Sequence, residues 1–216
     1  FRRVLFRSAG EMSALRAISA TARIARDFAC LRDFETGSHL ERMARYSRVI
    51  ARSIAHVYNL SDEFIEQVHL FAPLHDIGKI GIPDAVLHKR GPLDAAEYDV
   101  IKEHTTRGDT MITQTMTGPV ERAVLRHHHE RWDGQGYPDG LKGEDIPLEA
   151  RIVAVADVYD ALRSNRAYRG AHSRGETIEM IEAGRGTQLD PRCVDALLAV
   201  AEEWERQYAA DHLAYD

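Results

Sequence analysis

Phe64-Ile65-Glu66-Gln67-Val68-His69-Leu70-Phe71-Ala72-Pro73-Leu74-His75-Asp76-Ile77-Gly78-Lys79 carries both fold and chemistry in one run. Phe64, Ile65, Val68, Phe71 and Ala72 recur at one-, three- and four-residue steps, the pattern of a helix with one apolar face. The helix leads directly into His75 and Asp76. Adjacent helical side chains diverge by about 100 degrees, so this pair could grip two sides of one cation or bridge two. Lys79 follows His75 by four residues and Asp76 by three. Its ammonium could orient a phosphate oxygen or a bridging water beside a metal-bound carboxylate. Taken alone, His75-Asp76 reads more simply as a polar helix end with a solvated ion pair.

The helical period continues on both sides. Leu40, Met43, Ser47, Ile50, Ile54 and Val57 form an upstream stripe. Pro119 suits the first position of a helix through Val120, Ala123, Val124 and His127, and Pro147 does the same for the helix carrying Arg151 to Leu162. Ser173 with Glu176 three residues on predicts a capping box, and Asp190-Pro191 opens a last helix with Val194, Leu197, Leu198, Ala201 and Trp204 inward. Alternating β-branched runs are nearly absent, which predicts an all-α fold. Residues 131–146 hold four glycines and a proline, forming a loop with tight turns.

The organisation expected is one helical domain over residues 31–208, an entering helix over 9–30 that could couple to an upstream domain, and a tail over 209–216. Residues 1–8 lack a start methionine, and Leu5-Phe6-Arg7-Ser8 matches the translated end of a sequencing adaptor, so they read as a non-native scar. With 44% hydrophobic and 29% charged residues among 216, the composition is that of an ordinary globular chain. A net charge of −6 argues against broad nucleic-acid binding, though not against a small phosphodiester. No apolar stretch could span a bilayer and no secretory signal is visible, so the expectation is a cytoplasmic protein without membrane contact from this segment. Cys30 and Cys193 stand isolated and read as reduced thiols.

Five histidines and three carboxylates have spacings that suit a cluster of divalent ions: Glu35, His39, His75, Asp76, His104, His128, His129 and Asp157. All would ligate through nitrogen or oxygen, a set suited to iron or manganese and less often to zinc. Asp157 interrupts Ile152-Val153-Ala154-Val155-Ala156, so it should face the core. An unpaired buried carboxylate is costly, and its partner is either a metal or an arginine such as Arg151. Asp160, three residues on, could support it. The run His127-His128-His129 ends a helix just before the glycine loop, which favours coordination over a solvated tract. His104 alone reads as structural. Glu35 and His39 share a face if helical and could serve a third ion, or simply cap the helix that follows. His56, His69, His88, His172 and His212 lie off these segments. No nucleophilic serine or cysteine motif and no phosphate-binding glycine loop of the strand-to-helix type is present.

The linked segments Arg32-Asp33-Phe34-Glu35-Thr36-Gly37, His75-Asp76-Ile77-Gly78-Lys79-Ile80-Gly81-Ile82-Pro83-Asp84, and His128-His129-Glu130-Arg131-Trp132-Asp133-Gly134-Gln135-Gly136-Tyr137-Pro138 closely resemble the HD-GYP family. This is a branch of the HD-domain metal-dependent phosphohydrolases. The match continues through Ile146-Pro147, Ala150-Arg151-Ile152, Asp157-Val158-Tyr159-Asp160-Ala161-Leu162 and Leu189-Asp190-Pro191. The resemblance implies an HD-domain helical bundle with a C-terminal helical extension and a glycine-rich GYP loop. It implies hydrolysis of the bacterial second messenger cyclic di-GMP to linear pGpG, and on to GMP, by attack of a metal-bridging hydroxide. It also implies His75, Asp76, His104, His128, His129 and Asp157 as metal ligands, with Glu35 and His39 completing a three-metal site in some members; two or three ions are expected. Asp76 and Lys79 would be catalytic. Lys79, Gly136, Tyr137, Asp160, Arg166 and Arg169 would contact substrate. Gln135 stands where the family more often has a small residue, and Arg169 where lysine is frequent. The alternative reading is a catalytically weak regulatory module that contacts a GGDEF-domain diguanylate cyclase. An upstream sensory or receiver domain and a homodimer belong to the same expectation.

Overall fold

A computed structural model describes residues 37–113, 118–164 and 170–212, the last eleven of them by backbone alone. Its helices are α1 (Gly37–Tyr58), α2 (Asp62–Phe71), α3 (Asp84–Leu87), α4 (Ala95–Lys102), α5 (His104–Thr113), α6 (Pro119–His127), α7 (Leu148–Arg163), α8 (Arg174–Gly184) and α9 (Pro191–His212). Among the described residues there is no strand, and one isolated bridge joins Arg185 to Leu189. The expected all-α fold is what forms. Glu35, Arg166, Arg169, the entering helix and the residues read as a scar lie outside the described residues.

The apolar stripes set the packing. Met43 and Ile50 of α1, Val68 of α2, Val124 of α6, Ile152 of α7 and Leu197 of α9 are wholly enclosed in one core. Each such side chain contributes about 1.5–3 kcal/mol relative to an exposed one. The stripe on α1 runs one residue short of expectation, because Val57 is 54% exposed. The helix stops there: Asn59 takes a left-handed conformation (φ 51°), and Leu60 N–H closes on Ala55 O at 3.0 Å. Ser61 caps α2 by accepting from Phe64 N–H at 3.1 Å, and Ser173 and Glu176 form the expected capping box on α8. Pro119 opens α6 as its spacing predicts; Pro147 sits one residue earlier than expected, as the cap of α7.

The chief departure lies where the chemistry was expected. Pro73 cannot donate a backbone hydrogen bond and cannot continue α2. The chain passes instead through two 3-10 turns, Ala72–Leu74 and Ile77–Gly81, with Asp76 between them at φ −98°, ψ 8°. His75 and Asp76 therefore sit at a break, not on a regular helix face. Ile77–Gly81 then packs across α5 so closely that a Cβ on Gly78 would lie 1.8 Å from His104 O. That approach brings Asp76 beside His104.

The glycine loop is sewn to the turn before α9. Trp132 N–H donates to Gln188 O at 3.2 Å and Asp133 N–H to Thr187 O at 2.8 Å. Beneath it Arg151 pairs with Asp190 at 2.7 Å, both buried, and Asp190 also accepts from Arg192 N–H at 2.7 Å to start α9. Arg151 is thus committed to Asp190, not to Asp157. No described helix is long and apolar enough to cross a membrane.

Candidate metal centre

Three imidazoles converge on Asp76, and each is fixed from behind. His75 Nδ1 lies 2.9 Å from Ala72 O, His104 Nδ1 2.6 Å from Ile101 O, and His128 Nδ1 2.9 Å from Val124 O. A carbonyl only accepts, so each Nδ1 carries a hydrogen and each ring turns its Nε2 inward. Backbone carbonyls of this kind hold metal-ligating histidines in orientation. His104 belongs to the first turn of α5 and bonds back to the end of α4, while His128 follows the last residue of α6.

The Asp76 carboxylate divides its two oxygens. Oδ1 lies 3.1 Å from His104 Nε2 and 3.6 Å from His128 Nε2, whereas Oδ2 lies 3.3 Å from His75 Nε2 and 2.7 Å from Lys79 Nζ. Burial pushes this carboxyl's pKa up, but the Lys79 ammonium and His75 outweigh it and hold it well below the usual carboxylate range. Burial, and the neighbouring imidazoles, push His128 and His129 down, so both rings are neutral near pH 7.

His104 Nε2 and His128 Nε2 are 3.3 Å apart. With both Nδ1 atoms donating to carbonyls, the two Nε2 atoms face each other with a carboxylate oxygen beside them. Acceptors crowded in this way fit a shared cation. Asp76, His104, His128 and His129 each offer an atom within 4.8 Å of the others, and His39, His75 and Asp157 form a second such group. Seven of the eight ligands expected from the sequence fall in these two groups; Glu35 lies outside the described residues.

Two sequence expectations change. Asp157 is not in the core: its side chain is 24% exposed and borders a cleft, with Oδ1 3.9 Å from His75 Nε2. Asp160 is the enclosed one, at 1%. It was expected to touch substrate or support Asp157. Instead its oxygens face His39 Nδ1 at 2.7 Å and Arg42 Nε and Nη2 at 2.5 and 2.9 Å. Asp160 therefore orients His39. Arg42 went unnoticed in the sequence, although it follows His39 by three on α1 and so shares its face.

The cleft above the two groups is lined by Gln135, Gly136, Tyr137 and Asp157 among others. The Tyr137 ring leans over His129, centroids 4.9 Å apart, and burial, with Tyr98 and the acids nearby, pushes its phenol pKa up. Gly136 is required by close approach, since a Cβ there would lie 2.3 Å from Arg131 N and 2.5 Å from Glu130 Cα. Glu130 anchors the loop: its carboxylate accepts from Asp139, Gly140 and Leu141 N–H at 2.7, 3.1 and 3.0 Å. His127, next to two expected ligands, turns away and bonds Asp139 at 2.9 Å.

A family model described as HD domain matches residues 17–193. The cyclic di-GMP phosphodiesterase response regulator RpfG of Xanthomonas campestris is 47% identical over 169 residues, covering 77% of this chain and 44% of that protein. The 3′3′-cGAMP-specific phosphodiesterase 2 of Vibrio cholerae is 38% identical over 176 residues, covering 81% and 32%. The chain spans less than half the length of these relatives. Among solved structures, the cyclic GMP-AMP specific phosphodiesterase V-cGAP3 of V. cholerae superposes with a TM-score of 0.63 at 21% identity, covering 86% of this chain and 49% of that one. That likeness concerns the fold.

Proposed function

The chain belongs to the HD-domain family, in its HD-GYP branch, and from that premise we propose that it is a metal-dependent phosphodiesterase hydrolysing cyclic di-GMP to linear pGpG. The observation that carries this reading is the division of Asp76, one oxygen toward each cluster of potential ligands. Asp76, His104, His128 and His129 would hold one divalent ion, and His39, His75 and Asp157 another, with Asp76 shared; Glu35 is the candidate ligand for a third. Such ions supply Lewis acidity and a hydroxide nucleophile near neutral pH.

The chain's own groups do the rest. Lys79 is already held beside the shared carboxylate and can donate to a phosphoryl oxygen as charge gathers there. Tyr137 and Gly136 form the wall of the cleft against the ligand, and Glu130 keeps that wall in place. Hydrolysis adds water across one phosphorus–oxygen ester bond, giving a linear product with a terminal phosphate. The nitrogen and carboxylate donors, without thiolate, favour iron or manganese. A substrate of this kind places the protein in the cytoplasm, with a GGDEF-domain cyclase as a natural partner.

Anaerobic purification with metal analysis, followed by chromatography of cyclic di-GMP after incubation with the iron and manganese forms, tests the reading. Two or three ions per chain and conversion to pGpG are expected, with activity lost on chelation and restored by the ion. Failure of every metal-replete form to hydrolyse cyclic di-GMP would overturn it, and would favour the regulatory module. Because relatives include enzymes named as specific for 3′3′-cGAMP, a parallel incubation with that dinucleotide ranks the two substrates.

Asp160→Asn tests the second ion separately. Losing the carboxylate that orients His39 should weaken one ion by about 10–100-fold. Competition against a chromophoric chelator measures this, and unchanged ion content and affinity would remove Asp160 from that role.

A further inference from the structure

The mouth of the cleft is formed in part by α4, which has no fully buried residue. Tyr98 on this helix is 50% exposed yet lines the same cleft as Tyr137 and Gln135. Lys102, one turn further, sets its ammonium 5.3 Å from the Tyr98 ring centroid and 6.0 Å from that of Tyr137. Its ion-pair partner Asp99, 2.5 Å away, has a side chain 71% exposed, so that pair is weak and Lys102 is available to a ligand. A large aromatic ring left in water beside a cation, above a polar cleft, serves as a platform for a flat polar heterocycle.

We infer that Tyr98 and Lys102 form a guanine subsite. This rests on the reading of the cleft as a cyclic dinucleotide site. One purine of the ligand stacks on Tyr98, and Lys102 donates to its edge. Guanine presents two adjacent acceptors there, O6 and N7, whereas adenine presents N7 beside an amino donor. An ammonium has three donors and no acceptor, so it matches guanine and opposes the adenine amino group. Lys102 is then a specificity determinant, and Tyr98 a source of affinity independent of the ions.

The test uses the metal-loaded full chain, with cyclic di-GMP and with cyclic di-AMP as substrate or competitive inhibitor. Tyr98→Ala is expected to raise KM for cyclic di-GMP about tenfold, the worth of one stacked base, with the change in KM rather than kcat. Tyr98→Phe should restore the wild-type value. Lys102→Met should weaken cyclic di-GMP about tenfold while leaving cyclic di-AMP nearly as before, narrowing the preference. An unchanged KM for Tyr98→Ala, or equal losses for both dinucleotides in Lys102→Met, would overturn the subsite while the wild type still turns over cyclic di-GMP. A wild type that neither binds nor hydrolyses either dinucleotide would overturn the function along with it.

Discussion

Asp76→Asn is expected to abolish hydrolysis, lowering kcat/KM by roughly 10³-fold or more, while the helical circular dichroism stays that of the parent. The amide keeps the shape of the carboxylate, so the packing between the two 3-10 turns is undisturbed. What changes is charge. The oxygen facing His104 and His128 and the oxygen facing His75 and Lys79 belong to one anion. Asparagine leaves one neutral acceptor and puts a donor toward the other group. The Asp76, His104, His128 and His129 group then loses its carboxylate and the other group keeps only that of Asp157, so both ions should weaken and metal analysis should report fewer than the two or three ions of the parent. Retained turnover with a full complement of metal would show that Asp76 does not join the two groups.

The expected loss can be anticipated because the ligands declare themselves by residue type, whatever the backbone does around them. His75-Asp76, His104 and His128-His129 were legible as candidates from their motifs. Their convergence follows from helices whose apolar stripes, on α1, α2, α6 and α7, could also be read in advance. The sequence was less informative where direction mattered. Periodicity tells which side of α7 turns inward, but not that this side meets a cleft at Asp157 and the protein interior at Asp160. The expected roles of the two acids changed for that reason. Likewise the amphipathic pattern suggested that His75 and Asp76 ride on the end of α2, whereas Pro73 ends that helix before them. Arg42 and Glu130 act through partners outside their own helical turns: Asp160 and the Asp139–Leu141 backbone. Spacing rules describe neighbours within a helix, and none of these pairings is one. Exposure of Val57 has a local cause, the left-handed turn at Asn59, and Asn at such a position is a signal that could have been read.

Gly78→Ala should be the most damaging glycine-to-alanine change among the described residues, destabilising the fold by about 3 kcal/mol, the upper range for overpacking. The added Cβ would stand 1.8 Å from His104 O, 2.8 Å from His104 C and 2.6 Å from Gly108 N. All three are backbone atoms, so no rotamer change relieves the clash, and α5 must move away from the Ile77–Gly81 turn. His104 is the first residue of α5 and Asp76 directly precedes that turn, so the same movement draws apart two members of one ligand group. Stability and metal affinity should therefore fall together, which a urea titration and an ion titration can measure on one preparation. Gly108→Ala provides the contrast. Its Cβ would meet Leu125 Cδ2 at 3.2 Å, a side-chain methyl able to shift, and alanine is favoured over glycine within a helix by about 0.8–1.0 kcal/mol. Gly108→Ala should thus stay within about 1 kcal/mol of the parent. Equal stabilities for the two variants would mean that the close backbone approach at Gly78 does not exist, and that something else holds Asp76 against His104.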